Sequence, residues 1–156
     1  MKREQILKRL WECQDKAFDL MDEYDSLPHH YGDNVLYQAE AYVIQEIGNN
    51  PGTTTSEIAL ILNKTTSACS QIIKKLLNRG LVEQIRNEEN RRIYNLVLTE
   101  EGLNLYKEHI KFNETCQKLT FEMLDEFTDE ELMIHVKVQE AINKAYQGDV
   151  NRSKEK

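Results

Sequence analysis

Apolar residues recur at helical spacing along the first two dozen positions. Ile6, Leu10, Cys13, Ala17, Leu20 and Tyr24 form one heptad-like stripe, and Leu7, Trp11, Phe18 and Met21 widen it. A stripe that broad needs more than one neighbouring element. Ser26 to Gly32, containing Pro28 and Gly32, predicts a loop. A second helix follows, capped by Asp33 or Asn34 and running to about Ile47 with Val35, Leu36, Ala39, Tyr42 and Val43 on its apolar side. Gly48 to Gly52 breaks the pattern. Thr54-Thr55-Ser56-Glu57 then has the form of a capping box and opens a short helix through Ile58, Ala59, Ile61 and Leu62. Asn63-Lys64-Thr65 reads as a tight turn, because Asn tolerates left-handed backbone. Thr65 caps the next helix, Thr66 to Asn78, whose inner face is Cys69, Ile72, Ile73, Leu76 and Leu77. Gly80 sits where a glycine stop belongs.

Beyond Gly80 the period changes from helical to alternating. Leu81 to Ile85 and Ile93 to Leu98 predict two short strands, joined by the polar loop from Arg86 to Arg92 into a hairpin. Thr99 caps a long helix carrying Leu103, Tyr106, Ile110, Phe112, Cys116, Leu119, Met123 and Phe127. Thr128-Asp129-Glu130-Glu131 is a second capping box, opening a last helix with Leu132, Met133, Val136, Ile142 and Tyr146. From Gly148 onward the chain reads as a polar, frayed tail.

Composition narrows the class. A chain of 156 residues, 40% hydrophobic and 30% charged, is a folded domain of ordinary size. No run approaches the eighteen or so apolar residues of a membrane span, and Met1-Lys2-Arg3-Glu4-Gln5 lacks a signal peptide's apolar stretch, so a cytoplasmic location is expected. Cys13, Cys69 and Cys116 lie far apart, with no C-x-x-C pair, which argues against a disulfide framework and a structural zinc site. There is no phosphate-cradling glycine loop, no G-x-S-x-G and no metal-ligand spacing, so neither an enzyme nor a cofactor is expected.

Net charge is -7, yet its distribution is uneven. Seven basic residues against three acids between Lys64 and Arg92 leave that stretch at +4 and the remainder at -11. Local field, not total charge, governs attraction to phosphate. In a helix-turn-helix the second helix enters the major groove while the first braces it. The outward face of the Thr66–Asn78 helix offers Thr66, Ser67, Ser70 and Gln71. Gln pairs bidentately with adenine, and hydroxyls reach base edges or phosphates. Lys74, Lys75 and Lys64 have the reach and sign for phosphate, and Thr54 stands at the mouth of the bracing helix. Arg91 and Arg92, side by side on the hairpin loop, suit a narrow, electronegative minor groove.

On these residues the chain resembles the MarR family of bacterial transcriptional regulators. The likeness runs through Pro51-Gly52, Thr54 to Ala59, Lys75-Leu76, Arg79-Gly80-Leu81-Val82, Arg86, Arg92 and Leu98-Thr99-Glu100-Glu101-Gly102, with Phe127 to Leu132 similar to the entry into the last helix. The resemblance implies a mainly α fold with a small β-hairpin wing. One MarR-like domain would span 1–148, with a winged helix-turn-helix over 33–102, dimerisation helices over 1–32 and 103–147, and a polar tail over 149–156. It further implies a homodimeric repressor, released by an effector (a small molecule, an oxidant or a metal) and reading a pseudopalindromic double-stranded operator, with Arg86, Arg91 and Arg92 at the wing. The family places an Asp two residues before the wing arginine. Here the position is Asn90, so the ion pair that would orient Arg92 is lost or replaced by a neutral hydrogen bond.

An effector site is less legible. Tyr24, Tyr31, Tyr37 and Tyr42 would line a pocket for an aromatic or acidic ligand, or else are core and interface packing. Cys13 and Cys69, on apolar stripes, read as buried structural thiols, and His109 as a satisfied interface histidine beside Leu105 and Phe112. The alternative function is a winged-helix module that binds protein instead of DNA.

Overall fold

A computed structural model describes residues 2–155. Ten elements follow in chain order: α1 (Arg3–Ser26), β1 (Pro28–Tyr31), β2 (Asn34–Tyr37), α2 (Gln38–Asn49), α3 (Thr55–Ile61), α4 (Thr66–Asn78), β3 (Val82–Arg86), β4 (Tyr94–Leu98), α5 (Glu100–Met123) and α6 (Asp129–Lys154). The architecture is the expected one, mainly α with a helix-turn-helix and a β-hairpin wing.

One expectation is corrected. Residues 28–37 form an antiparallel hairpin, β1 against β2, in the register Pro28 opposite Tyr37 and Tyr31 opposite Asn34. The expected loop and first helical turn are therefore strands, and the boundary drawn between residues 32 and 33 falls inside a two-residue turn. Gly32 adopts φ +59° there, and a glycine at the first loop position is what tight hairpin turns of this kind demand. Alternation along β1 buries His29 and Tyr31 and turns Pro28 and His30 outward. The helix begins only at Gln38, where the backbone N–H of Tyr37 donates to Glu40 Oε2 at 3.0 Å.

The remaining helix starts follow their caps. Thr54 Oγ1 accepts from the Glu57 N–H at 3.3 Å, while Glu57 Oε2 accepts from the Thr54 N–H at 2.7 Å. The Thr54 N–H, and after it the Thr54 hydroxyl, donate to this carboxylate and hold it below its ordinary range. Thr65 Oγ1 accepts from the Ala68 N–H at 3.2 Å, and Asn63 between the two helices takes φ +50°. Helix α2 is the centre of the core: Ala41, Val43, Ile44 and Ile47 are all fully buried. Against them pack Ile58 of α3, Cys69, Ile73 and Leu76 of α4, Leu96 of β4 and Leu105 of α5. Burial raises the Cys69 thiol pKa, so this cysteine is packing and not a nucleophile. The wing pairs Val82 with Leu98 and Arg86 with Tyr94. Two further bonds, from the Gly52 N–H to Leu96 O and from the Leu96 N–H to Thr53 O, both 2.8 Å, hook β4 to the turn before α3.

Within one chain, residues 1–113 and residues 114–156 form two compact units. Helix α5 has its last buried residue at His109, and α6 has none. In the second unit α5 stops at Met123, short of Phe127, and the Thr128 capping box starts α6 as expected. Helix α6 passes Gly148 and runs to Lys154, so the expected frayed tail is helical through its first six residues. Side-chain bonds one turn apart, Gln139 to Asn143 and Gln147 to Asn151, and basic residues in the last turn favour that continuation. Among the described residues no helix is long and apolar enough to cross a membrane.

Candidate nucleic-acid interface

Helix α4 has two unlike faces. Cys69, Ile73 and Leu76 are buried, whereas Thr66, Ser67, Ser70, Gln71 and Lys74 are all exposed. The inner residues dock against α2 and α3 and thereby fix which side chains remain outward. Lys64, in the turn before α4, is exposed as well. This is the arrangement expected from the sequence.

The wing tip is organised by asparagines. Asn87 Oδ1 accepts from the backbone N–H groups of Glu89 and Asn90, at 3.0 and 2.9 Å, and Asn87 Nδ2 donates to Asn95 Oδ1 at 3.1 Å. Asn90 Oδ1 accepts from the Arg92 backbone N–H at 3.1 Å. The neutral bond at this position thus shapes the loop and leaves the Arg92 guanidinium to project with Arg91, both exposed. Arg86 behaves differently. Its Nη2 donates to the Tyr94 hydroxyl across the hairpin at 3.1 Å, which raises an already high pKa and ties the side chain to the last strand pair before the loop. Asn87 and Tyr94 were not legible as wing organisers, because a lone Asn or Tyr beside a strand carries no distinctive spacing.

Two expected phosphate contacts have internal partners. Thr54 Oγ1 directs its proton to Glu57 Oε2 at 2.9 Å, so its hydroxyl serves the cap. Lys75 Nζ lies 4.0 Å from Glu40 Oε1.

The four tyrosines do not form one group. Tyr24 and Tyr31 flank His29, with ring centroids 4.2 and 6.4 Å from it. Tyr31 also meets His109 and Phe112 edge-on, at 5.0 and 5.3 Å. Tyr31 is fully buried and acts as core, while Tyr37 and Tyr42 are exposed and outside this cluster. Cys13, expected inside, is exposed because α1 buries none of its residues within one chain. Among the described residues no three His, Cys, Asp or Glu side chains converge as a metal site would require.

His109 is wholly buried. Its Nε2 lies 2.9 Å from Gln45 Oε1 and 3.1 Å from Asn113 Nδ2, and its Nδ1 has no partner. With the ring hydrogen on Nε2, that nitrogen donates to Gln45 and cannot also accept from Asn113, and the unpartnered Nδ1 is a bare lone pair, which costs less than an orphaned N–H. Protonation would create that orphan. Burial first, and nearby His29 second, hold the His109 pKa below 6.5. The unfolded chain therefore binds a proton that the folded chain refuses, so stability should fall as pH drops from about 6.5 toward the folded pKa. Thermal melts across that window should show the decline, and His109→Gln should flatten it. An equal slope in both proteins would refute this assignment.

A buried core under a polar-faced α4, a four-residue turn from α3 and a β-hairpin after α4 define a winged helix-turn-helix protein. Residues 36–93 match the model of the MarR family. The HTH-type transcriptional regulator BilQ of Clostridium symbiosum (strain WAL-14163) is 29% identical over 86 residues, covering 54% of this chain and 60% of BilQ, which is under two thirds of that relative. The zinc-responsive MarR family member ZitR of Lactococcus lactis superposes with a TM-score of 0.76 at 20% identity, over 90% of this chain and 99% of that one. FabT of Streptococcus pneumoniae, solved in complex with DNA, gives a TM-score of 0.67 at 20% identity, over 94% and 99% of the two chains. At these identities the solved structures speak for the fold.

Proposed function

We propose that this chain is a cytoplasmic, homodimeric transcriptional repressor that binds a pseudopalindromic double-stranded operator and is released by an effector. The observation that carries the reading is the outward face of α4, where Thr66, Ser67, Ser70 and Gln71 stand together over a buried apolar face. They read base edges in the major groove, with Lys64 and Lys74 on phosphate and Arg91 and Arg92 of the wing in the minor groove. Arg86 braces the wing beside its loop, through Tyr94, and Thr54 supports the start of α3.

Dimerisation follows from burial. Trp11, Phe18 and Met21 of α1 are 57, 56 and 60% exposed, and Met133 and Ile134 of α6 are 55 and 62% exposed. Apolar faces of that extent mark a surface that a second copy covers. Helices α1 and α6 accordingly carry the dimer surface, and the segment between them carries the reading domain. The two reading domains would meet half-sites about one helical turn apart.

The test is selection of bound duplexes from a random-sequence pool, followed by titration of the enriched duplex and a scrambled one at several salt concentrations. Expected are preference for the enriched duplex, a steep negative salt slope of about 0.9 per phosphate contact, and a sedimenting mass near twice the 18.3 kDa chain. A pool that yields no enriched sequence, with equal binding to both duplexes, refutes the reading and leaves the protein-binding alternative.

A further inference from the structure

The β1–β2 hairpin and the end of α4 are joined by contacts that neither the core nor the exposed reading face requires. Arg79, the residue that ends α4, donates from Nη1 to the backbone oxygen of Val35 at 3.1 Å and from Nη2 to Asn34 Oδ1 at 3.4 Å. One turn earlier Lys75 faces Glu40, whose Oε1 lies 4.0 Å from Nζ and whose Oε2 caps α2 through the Tyr37 N–H. The two cations at the C-terminal end of α4, both suited to its dipole, thus face β2 and the start of α2. The opposite strand is anchored separately. His29 Nε2 sits 3.0 Å from the Tyr24 backbone oxygen at the end of α1, and Tyr31 packs edge-on against His109 and Phe112 of α5.

We infer that Arg79 is a positioning residue for DNA reading: it fixes the pitch of α4 by clamping the helix end to the β1–β2 hairpin, without touching DNA itself. The inference rests on the DNA-binding reading above. Gln71 lies eight residues before Arg79, or about 12 Å along the axis at 1.5 Å per residue. A tilt of about 5° about the clamped end would move Gln71 by about 1 Å, enough to spoil a paired hydrogen bond whose useful range is about half an ångström. Loss of the clamp should therefore weaken recognition of sequence and spare attraction to phosphate. A direct phosphate contact by Arg79 would do the reverse.

The experiment compares wild type, Arg79→Ala, Arg79→Lys and Asn34→Ala on the duplex enriched by the wild type and on its scrambled counterpart, each across a salt series. Positioning predicts that Arg79→Ala lowers affinity for the enriched duplex about tenfold or more, changes affinity for the scrambled duplex by less than about twofold, and leaves the salt slope on scrambled DNA unchanged. Arg79→Lys, which reaches one acceptor only, should recover part of the loss. Asn34→Ala removes one acceptor while keeping every cation, should lose about threefold on the enriched duplex alone, and decides the question if Arg79→Ala loses its helical circular dichroism. Equal losses on both duplexes with a slope smaller by about one would make Arg79 a phosphate contact and overturn the proposal. Unchanged binding in all variants would overturn it too. A wild type that discriminates no duplex would instead remove the reading beneath it, and that outcome is visible before any variant is made.

Discussion

Changing Gln71 and Arg92 together to Ala lowers affinity for the enriched duplex about a hundredfold or more, while the protein melts where the wild type does. The first side chain stands on the outward face of α4 and the second at the wing tip; both are exposed. A bidentate base contact is worth about 1–3 kcal/mol of discrimination; with a comparable amount for the arginine in a narrow minor groove, the two lost contacts sum to about 4 kcal/mol at mid-range, between two and three factors of ten. Stability changes little, because exposed substitutions away from caps and cores fall within about 0.5 kcal/mol. Asn90 holds the wing through the Arg92 backbone N–H and not its guanidinium, so the loop keeps its shape in the variant. Titration of both duplexes reads the result: the preference for the enriched sequence disappears, and the salt slope falls by about one for the missing guanidinium. A double variant that binds and discriminates as before would mean that the reading face lies elsewhere on the molecule.

The helix-turn-helix was legible because its signals are local and redundant. Thr54 with Glu57, Asn63, Thr65 and Gly80 each fix a backbone feature within a few residues, and the structure uses all of them in that way. The first hairpin was not legible for the opposite reason. Its strands are four residues each, begin at a proline and bury only alternate side chains. The Gly32-Asp33 dipeptide was the available signal, but Val35, Leu36 and Ala39 also fit a helical stripe, and the longer pattern overrode the shorter one. Partnerships across distance were equally silent. Nothing in spacing pairs Arg79 with a backbone oxygen 44 residues earlier or Lys75 with Glu40, and those pairings separate a positioning cation from a reading one. The exposed thiol of Cys13 has a similar origin, since a stripe predicts burial without saying whether the cover comes from the same chain.

Replacing Gly102 by Ala should destabilise the fold by about 3 kcal/mol, at the upper end of what overpacking costs, despite a helix propensity that favours Ala by about 1 kcal/mol. A Cβ at this position would come 1.9 Å from the backbone oxygen of Leu81 and 2.9 Å from its carbonyl carbon. That carbonyl is not free to retreat. It accepts the Thr99 N–H at 3.2 Å, while Thr99 Oγ1 donates to Gly80 O at 2.7 Å and accepts from the Gly102 N–H at 3.0 Å. The wing's first strand and the start of α5 are thus pinned to each other at the point where the extra carbon must go, and neither side is a flexible side chain. At about 2–4 °C per kcal/mol for a chain of this size, the melting temperature should fall by about 6–12 °C. Gly80→Ala is the comparison. Gly80 has φ +71° but nothing within 4 Å of its added Cβ, so it should bear only the left-handed backbone cost of about 1–2 kcal/mol. Melts of the two variants side by side separate close approach from backbone strain. If Gly102→Ala melts with or above Gly80→Ala, the junction between wing and α5 is looser than these contacts require, and the wing's orientation on the reading domain needs another support.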